Sequence, residues 1–232
     1  MDYAECLALQ KDMVKKRVDE AIPDTLLFVD HPSVYTIGRK ADPSNFPGIE
    51  VIRTERGGDV TYHGPGQLVV YPIMKLWREG KVDIKQLVRE VTGAVIDLLS
   101  YNGYRGYLGD EPGIWVEGRK VASVGMAVES GVTYHGVAIN LSSVAVEGFS
   151  RIRPCGLSPD VMSYVPISRE TAIEGLIRAF TERFGEFRFV RLNHDSLPIL
   201  FLVSCRDFNI CEREFPFRKT GDESKPMAAI DC

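Results

Sequence analysis

Residues 56–67, Arg-Gly-Gly-Asp-Val-Thr-Tyr-His-Gly-Pro-Gly-Gln, decide how the rest of this chain is read. Four glycines and a proline crowd round His63, between two apolar runs. Glycine lets backbone approach a ligand and reach positive φ, at an entropic cost that a plain spacer need not incur. Val60–Tyr62 reads as a strand before the second glycine cluster, and Leu68–Ile73 as a strand after it. The stretch is therefore two strands joined by a glycine turn, and it serves either as a substrate-binding loop or as an elaborate turn.

Working outward, Thr25–Val29 is a short apolar strand closed by Asp30-His31-Pro32, and Val34–Ile37 and Val51–Arg53 also read as strands. Upstream, Tyr3, Leu7, Val14 and Val18 recur at helical spacing and predict a helix over 3–21. Downstream, Ile84, Leu87, Val88, Val91, Val95, Leu98 and Leu99 mark a second helix. Residues 119–129 and 132–141 read as a hairpin turning at Ser130-Gly131. Ile173, Leu176, Ile177, Phe180 and Phe184 mark a third helix, with Ser168 as its N-cap. Strands outnumber helices without strict βαβ alternation. The expected class is α/β in the broad sense (α+β), a mixed β-sheet with flanking helices. One domain over 1–192 is expected. Beyond about Arg191 the pattern degrades, so 193–232 is expected to be an extension, partly disordered or packed on the domain, with the breaker-rich 218–232 as its disordered end.

Composition narrows the partners. The chain has 232 residues, is 44% hydrophobic and carries a net charge of -4, with a pI near 5.7. No overall basic field points to nucleic acid, and no polybasic block points to an anionic membrane. The apolar run 197–203 is far short of the ~20 residues a spanning helix needs. Asp2 and Glu5 interrupt the N-terminus, so no secretion signal is read. Five cysteines, Cys6, Cys155, Cys205, Cys211 and Cys232, are odd in number and scattered. That suits a reducing, cytoplasmic setting better than a disulfide framework.

Several chemistries lack their motifs. There is no G-x-x-x-x-G-K-[ST] phosphate loop, no complete dinucleotide fingerprint, no C-x-x-C and no H-E-x-x-H. The histidines His31, His63, His135 and His194 are far apart in sequence, and no metal site or cofactor is expected. A cysteine and a lysine remain. Cys155 sits in Arg151-Ile-Arg-Pro-Cys-Gly-Leu, with two arginines close by, and nearby cations favour thiolate over thiol. It is either a nucleophile or an inert small hydrophobe. Lys120 opens an apolar strand, Lys-Val-Ala-Ser-Val-Gly. It is either a solvated strand end or a desolvated amine suited to proton transfer. His135 reads as a packed strand residue.

Five ordered blocks carry a resemblance. They are D-H-P-S-V-Y-T-I-G-R-K (30–40), the glycine-rich stretch continuing into V-V-Y-P-I, G-R-K-V-A-S-V-G (118–125), Y-H-G-V-A-I-N (134–140) and R-P-C-G-L (153–157). Over roughly residues 3–184 the chain resembles the octanoyltransferases, also called lipoate-protein ligase B. The resemblance implies a biotin/lipoate protein ligase catalytic-domain-like fold. It implies octanoyl transfer from octanoyl-acyl carrier protein to a lysine of apo-lipoyl domains, those of dehydrogenase E2 subunits and the glycine cleavage H protein. It places the catalytic pair on Cys155 and Lys120. It places the substrate loop on Arg56, Gly57, Gly58, Asp59, Val60, Thr61, Tyr62 and His63, with Gly64 and Gly66. Ser123, Val124 and Gly125, and His135, Gly136 and Val137, complete the implied lining. The chain departs from the family pattern at Leu141-Ser-Ser after Asn140, and at Met162-Ser163, where the family typically has Thr-Ser. Three rival readings share these residues: an ATP-dependent lipoate or biotin-type ligase, a cysteine amidotransferase between lipoyl proteins, and a non-catalytic module that binds carrier proteins.

Overall fold

The structure is a computed structural model that describes residues 1–75 and 84–185 and the strand segments 77–78, 81–82, 187–190 and 200–204. In chain order the elements are α1 (Tyr3–Val18), β1 (Thr25–Val29), β2 (Val34–Ile37), β3 (Ile52–Arg53), β4 (Val60–His63), β5 (Gln67–Ile73), β6 (Trp77–Arg78) and β7 (Lys81–Val82). There follow α2 (Ile84–Tyr101), β8 (Tyr107–Leu108), β9 (Ile114–Val116), β10 (Arg119–Glu129), β11 (Val132–Asn140), α3 (Val144–Glu147), α4 (Arg169–Phe184), β12 (Phe187–Val190) and β13 (Leu200–Ser204). Eight strands form one sheet in the order β12-β13-β1-β5-β11-β10-β9-β8, with antiparallel pairing throughout. A second sheet, β3-β2-β4, combines a parallel β2–β3 pair with an antiparallel β2–β4 pair. The expected sheet with flanking helices is present, and among the named strands the parallel pairing lies in this smaller sheet.

The central strands are buried on both faces, which is why Leu26–Val29 and Leu68–Val70 are unbroken apolar runs rather than alternations. Side chains still alternate face by face. Leu27, Val29, Val69, Tyr71 and Ile73 pack with Cys6, Met13 and Val14 of α1. Leu26, Phe28, Leu68 and Val70 face the other way, with Val91, Val95 and Leu98 of α2 and Leu176 and Phe180 of α4. A third cluster, Ile37, Val60, Tyr62, Phe149, Ile152 and Met162, packs the small sheet against the turns that follow β11.

Local signals set the helix ends. Asp2 caps α1, its Oδ1 accepting from the N–H groups of Ala4 at 2.8 Å and Glu5 at 3.1 Å. The helix stops at Val18, three residues short of the predicted end, because Glu20 turns to φ 59° and the Ala21 N–H closes back on Lys16 O at 2.8 Å. Ser168 caps α4 as predicted, its Oγ accepting from Thr171 N–H at 3.1 Å. β13 lies within the stretch read as an extension, and its Leu200–Val203 pair with Phe28–Thr25 of β1. Residues 205–232, including the breaker-rich end, lie outside the described residues.

Candidate active site

Lys120 is the second residue of β10, where the pairing with β9 shifts between Lys120 and Ala122. Its backbone is clipped from a second side, since Ser163 N–H donates to Lys120 O at 2.8 Å and Lys120 bridges Met162. The Met162-Ser163 pair that departs from the family pattern is therefore the segment that fixes this lysine. The side chain is buried, 3% exposed, and its stem runs over Gly113. A Cβ at Gly113 would meet that stem and Ala122 O at 2.7 Å. Burial holds the Lys120 amine below the usual lysine range, Arg56 pushes it the same way, and Cys155 and Glu111 oppose. Of the two readings open at the level of sequence, the solvated strand end does not describe this residue.

Cys155 sits at the tip of the 3-10 turn Pro154–Gly156 with φ 57° and ψ 30°, a left-handed conformation that is unfavourable for an L-residue by roughly 1–2 kcal/mol. The turn is braced by Gly156 N–H to Arg153 O at 3.0 Å, by Leu157 N–H to Pro154 O at 3.2 Å and by Arg153 N–H to Asn45 O at 2.8 Å. The half-buried thiol lines one cavity with Lys120 and Arg56. Cys6 is its contrast, a fully buried thiol pushed by burial to about 12.

The same cavity is lined by Gly58, Asp59, Thr61, His63, Ser123, Val124, Gly125, His135, Gly136 and Val137, so the structure brings most of the sequence-predicted site together. Five of the sequence-predicted residues, Gly57, Val60, Tyr62, Gly64 and Gly66, lie outside its lining, for physical reasons. β4 alternates, so Thr61 and His63 face the cavity while Val60 and Tyr62 face the third cluster. Gly57 acts through its backbone, its N–H donating to Met126 O at 3.1 Å and its carbonyl accepting from Arg56 Nη1 at 3.1 Å. Gly64 and Gly66 do not line the cavity either. A Cβ on Gly64 would strike the Tyr62 ring, and one on Gly66 would strike Ser142 Oγ. Sequence reasoning missed Tyr3, Val69, Tyr71, Pro112 and Ala138. The β-strand alternation of 69 and 71 was the available signal for two of them; nothing local marks Tyr3.

A relay of amides fixes the His63 end. His63 Nδ1 pairs with Gln67 Oε1 at 2.8 Å, Gln67 Nε2 donates to Asn140 Oδ1 at 2.9 Å, and Asn140 Nδ2 donates to Ser163 O at 2.8 Å. The turn after β4 and the segment that clips Lys120 are thus one hydrogen-bonded unit. His31 Nε2 pairs with Tyr71 Oη at 2.9 Å, and Tyr3 stacks on His63 with ring centroids 5.5 Å apart. Burial lowers His31 to about 4, His63 to about 3 and His135 to about 4, and raises Tyr3 to about 12. At neutral pH these groups are uncharged.

The fold is that of solved lipoate-protein ligases. A crystal structure of lipoate-protein ligase A bound with ATP matches with a TM-score of 0.62 at 18% identity, covering 87% of this chain and 88% of that one. The sequence model of the lipoyl protein ligase A/B catalytic domain matches residues 2–185, and the chain belongs to that family. An octanoyltransferase of Methylococcus capsulatus is 43% identical over 159 residues, covering 67% of this chain and 75% of the relative. One of Syntrophobacter fumaroxidans is 44% identical over 167 residues, covering 68% and 72%.

Proposed function

We propose that this chain is an octanoyltransferase that takes octanoyl from octanoyl-acyl carrier protein onto Cys155 and passes it to a lysine of apo-lipoyl domains, in dehydrogenase E2 subunits and the glycine cleavage H protein. The observation that carries the reading is the meeting of a strained, half-buried thiol and a buried amine in one cavity with apolar walls. Its family membership and its octanoyltransferase relatives support the same reading. The scattered cysteines suit a cytoplasmic enzyme.

The chemistry follows from the two groups. Lys120 takes the Cys155 proton, and the thiolate attacks the carbonyl of the carrier-bound thioester. The C–S bond to the carrier breaks, and Lys120 returns the proton to the departing thiolate. One thioester replaces another, so this step is nearly balanced in free energy. The acceptor ammonium then gives a proton to neutral Lys120, and its amine attacks the Cys155 thioester. The second amine proton ends on Cys155 Sγ as the C–S bond breaks, and the amide product makes the whole transfer downhill without nucleotide activation. Intact mass after incubation with octanoyl-carrier protein is expected to rise by one octanoyl group without ATP. The adduct should be absent in Cys155→Ala and present in Cys6→Ser. An adduct that survives Cys155→Ala, or that forms only with ATP, would falsify the scheme.

A further inference from the structure

The mechanism leaves the cavity's buried guanidinium unused. Arg56 is 7% exposed, and its guanidinium is held by neutral oxygens: Nη2 donates to Thr36 O at 2.8 Å and to Thr36 Oγ1 at 3.1 Å, and Nη1 to Gly57 O at 3.1 Å. Its Nε is buried without a hydrogen-bond partner among the described residues. Among those residues no carboxylate lies within ion-pair distance of it. Asp59, the carboxylate of the same cavity, is turned to Asp42 N–H and to Asn45 Nδ2. A buried cation without a counter-ion is costly and is retained where something else balances it. The groups that face Arg56 are Tyr3, Tyr71, Asp59 and Cys155, with His63 and His135 also within its field. The tyrosines and histidines are neutral at pH 7, so Cys155 is the group there whose charge changes during the reaction. Lys120 faces Cys155, Glu111 and Arg56.

We propose that Arg56 is a positioning residue for the second half-reaction: its fixed charge keeps Lys120 deprotonated once Cys155 has become a neutral thioester. The inference rests on the Cys155 thioester reading above. A thiolate formed on Cys155 shares the cavity with Lys120 and Arg56 and offsets their positive charge. Acylation removes that negative charge, and Lys120 is left beside a guanidinium that cannot release its proton. The cheapest adjustment is for Lys120 to stay the neutral amine, having given its proton to the departing carrier thiolate. It is then the base that takes the first proton of the acceptor ammonium. When the C–N bond has formed and the C–S bond has broken, Lys120 holds that proton and Cys155 holds the second as its thiol. The excess proton then leaves Lys120 for solvent, and the thiol and neutral amine that begin the cycle are restored. Without Arg56, Lys120 holds its proton in the acylated enzyme and the acceptor meets an ammonium in place of a base.

The test isolates the coupling from turnover. In Cys155→Ala, which mimics the uncharged acylated state, the Lys120 side chain is titrated by NMR through its Cε and Nζ shifts, with and without Arg56→Gln. The midpoint is expected to rise by about one pH unit or more in Arg56→Gln, and to return in Arg56→Lys, which restores a cation. Single-turnover transfer from preformed octanoyl-enzyme should then show its pH profile displaced to the alkaline side by the same amount in Arg56→Gln, about a tenfold loss at pH 7 that alkaline buffer recovers. An unmoved Lys120 midpoint, or a loss of transfer equal at every pH, overturns the proposal and makes Arg56 a structural strut for Thr36. A wild-type enzyme that forms no octanoyl adduct defeats the thioester reading, and the NMR midpoints still decide whether Arg56 governs the Lys120 proton.

Discussion

At the scale of single residues, the candidate chemistry rests on a buried amine and a half-buried, strained thiol that line one cavity. In the sequence, Cys155 stands out by its nearby arginines and Lys120 by the apolar strand it opens, each with an inert reading left open, and the resemblance implies them as a pair. The burial that separates a working amine from a strand-end charge depends on Gly113 and on the Met162-Ser163 clip, which are distant in sequence. Lys120→Arg keeps the charge and loses the ability to exchange a proton, because guanidinium holds its proton to a pKa above ~12. Steady-state transfer is expected to fall by about 10²–10⁴, whereas near-normal turnover would reduce Lys120 to a buried charge. The neutral histidines make a second prediction. His31, His63 and His135 titrate near 4, 3 and 4 when folded, against about 6.5 unfolded. Between those limits the unfolded chain binds more protons, so stability is complete above about pH 6.5 and falls as pH drops toward 4. Each site contributes on the order of 1–2 kcal/mol of loss by pH 5. Urea melts at pH 7 and pH 5 check it, and His31→Gln should flatten the slope; equal midpoints at both pH values would contradict the buried, neutral assignment.

At the scale of elements, long segments were read well because several turns of helix or pairs of strand residues repeat one pattern. β1 and β2 match the predicted spans residue for residue, and the β10–β11 hairpin turns at Ser130-Gly131 as expected. β8 and β9 were invisible, since two or three residues show no period. The loop 56–63 was read as one continuous lining, although a strand sends alternate side chains to opposite faces. That distinction yields an experiment on neighbouring glycines. Gly57 lies outside the cavity, and a Cβ there has only Met126 O at 3.9 Å for company. Gly58 lines the cavity at φ 87°, a conformation disfavoured for alanine by roughly 1–2 kcal/mol. Gly57→Ala should leave stability and transfer close to wild type. Gly58→Ala should lower stability by that amount and slow the covalent step, measured by denaturant midpoint and by the rate of octanoyl adduct formation. Equal behaviour of the two variants would mean that the loop's backbone geometry does not shape the site.

At the scale of the whole molecule, the sequence carried composition and charge, while strand order escaped it, because β1 pairs with β13 some 175 residues away and with β5 on its other side, pairings no local pattern records. Charge raises a problem of its own. An acidic carrier protein or lipoyl domain in the proposed reaction would meet a chain that is itself net negative at -4. Productive encounter then needs a local basic rim that overrides the global repulsion. Arg39, Lys40, Arg151 and Arg153 are all exposed, and among the described residues none of the four takes part in an ion pair. Their backbones are tied to the site: Arg39 N–H donates to Arg56 O at 3.0 Å, Lys40 N–H to Gly58 O at 3.0 Å, and Arg153 leads into the Cys155 turn. Arg151 lies over the Tyr35 ring at 5.7 Å, a contact that leaves its charge unneutralised. Exposed cations whose backbones are tied to the site are suited to steering an acidic carrier toward the thiol. Arg151→Glu combined with Lys40→Glu is therefore expected to lower the apparent on-rate for octanoyl-carrier protein by about tenfold at low salt, and to flatten its dependence on ionic strength. Acylation by a small octanoyl thioester should keep its rate, because that substrate carries no acidic surface to steer. Equal losses with the carrier-bound and the small thioester would place these residues in folding or chemistry and remove the docking rim.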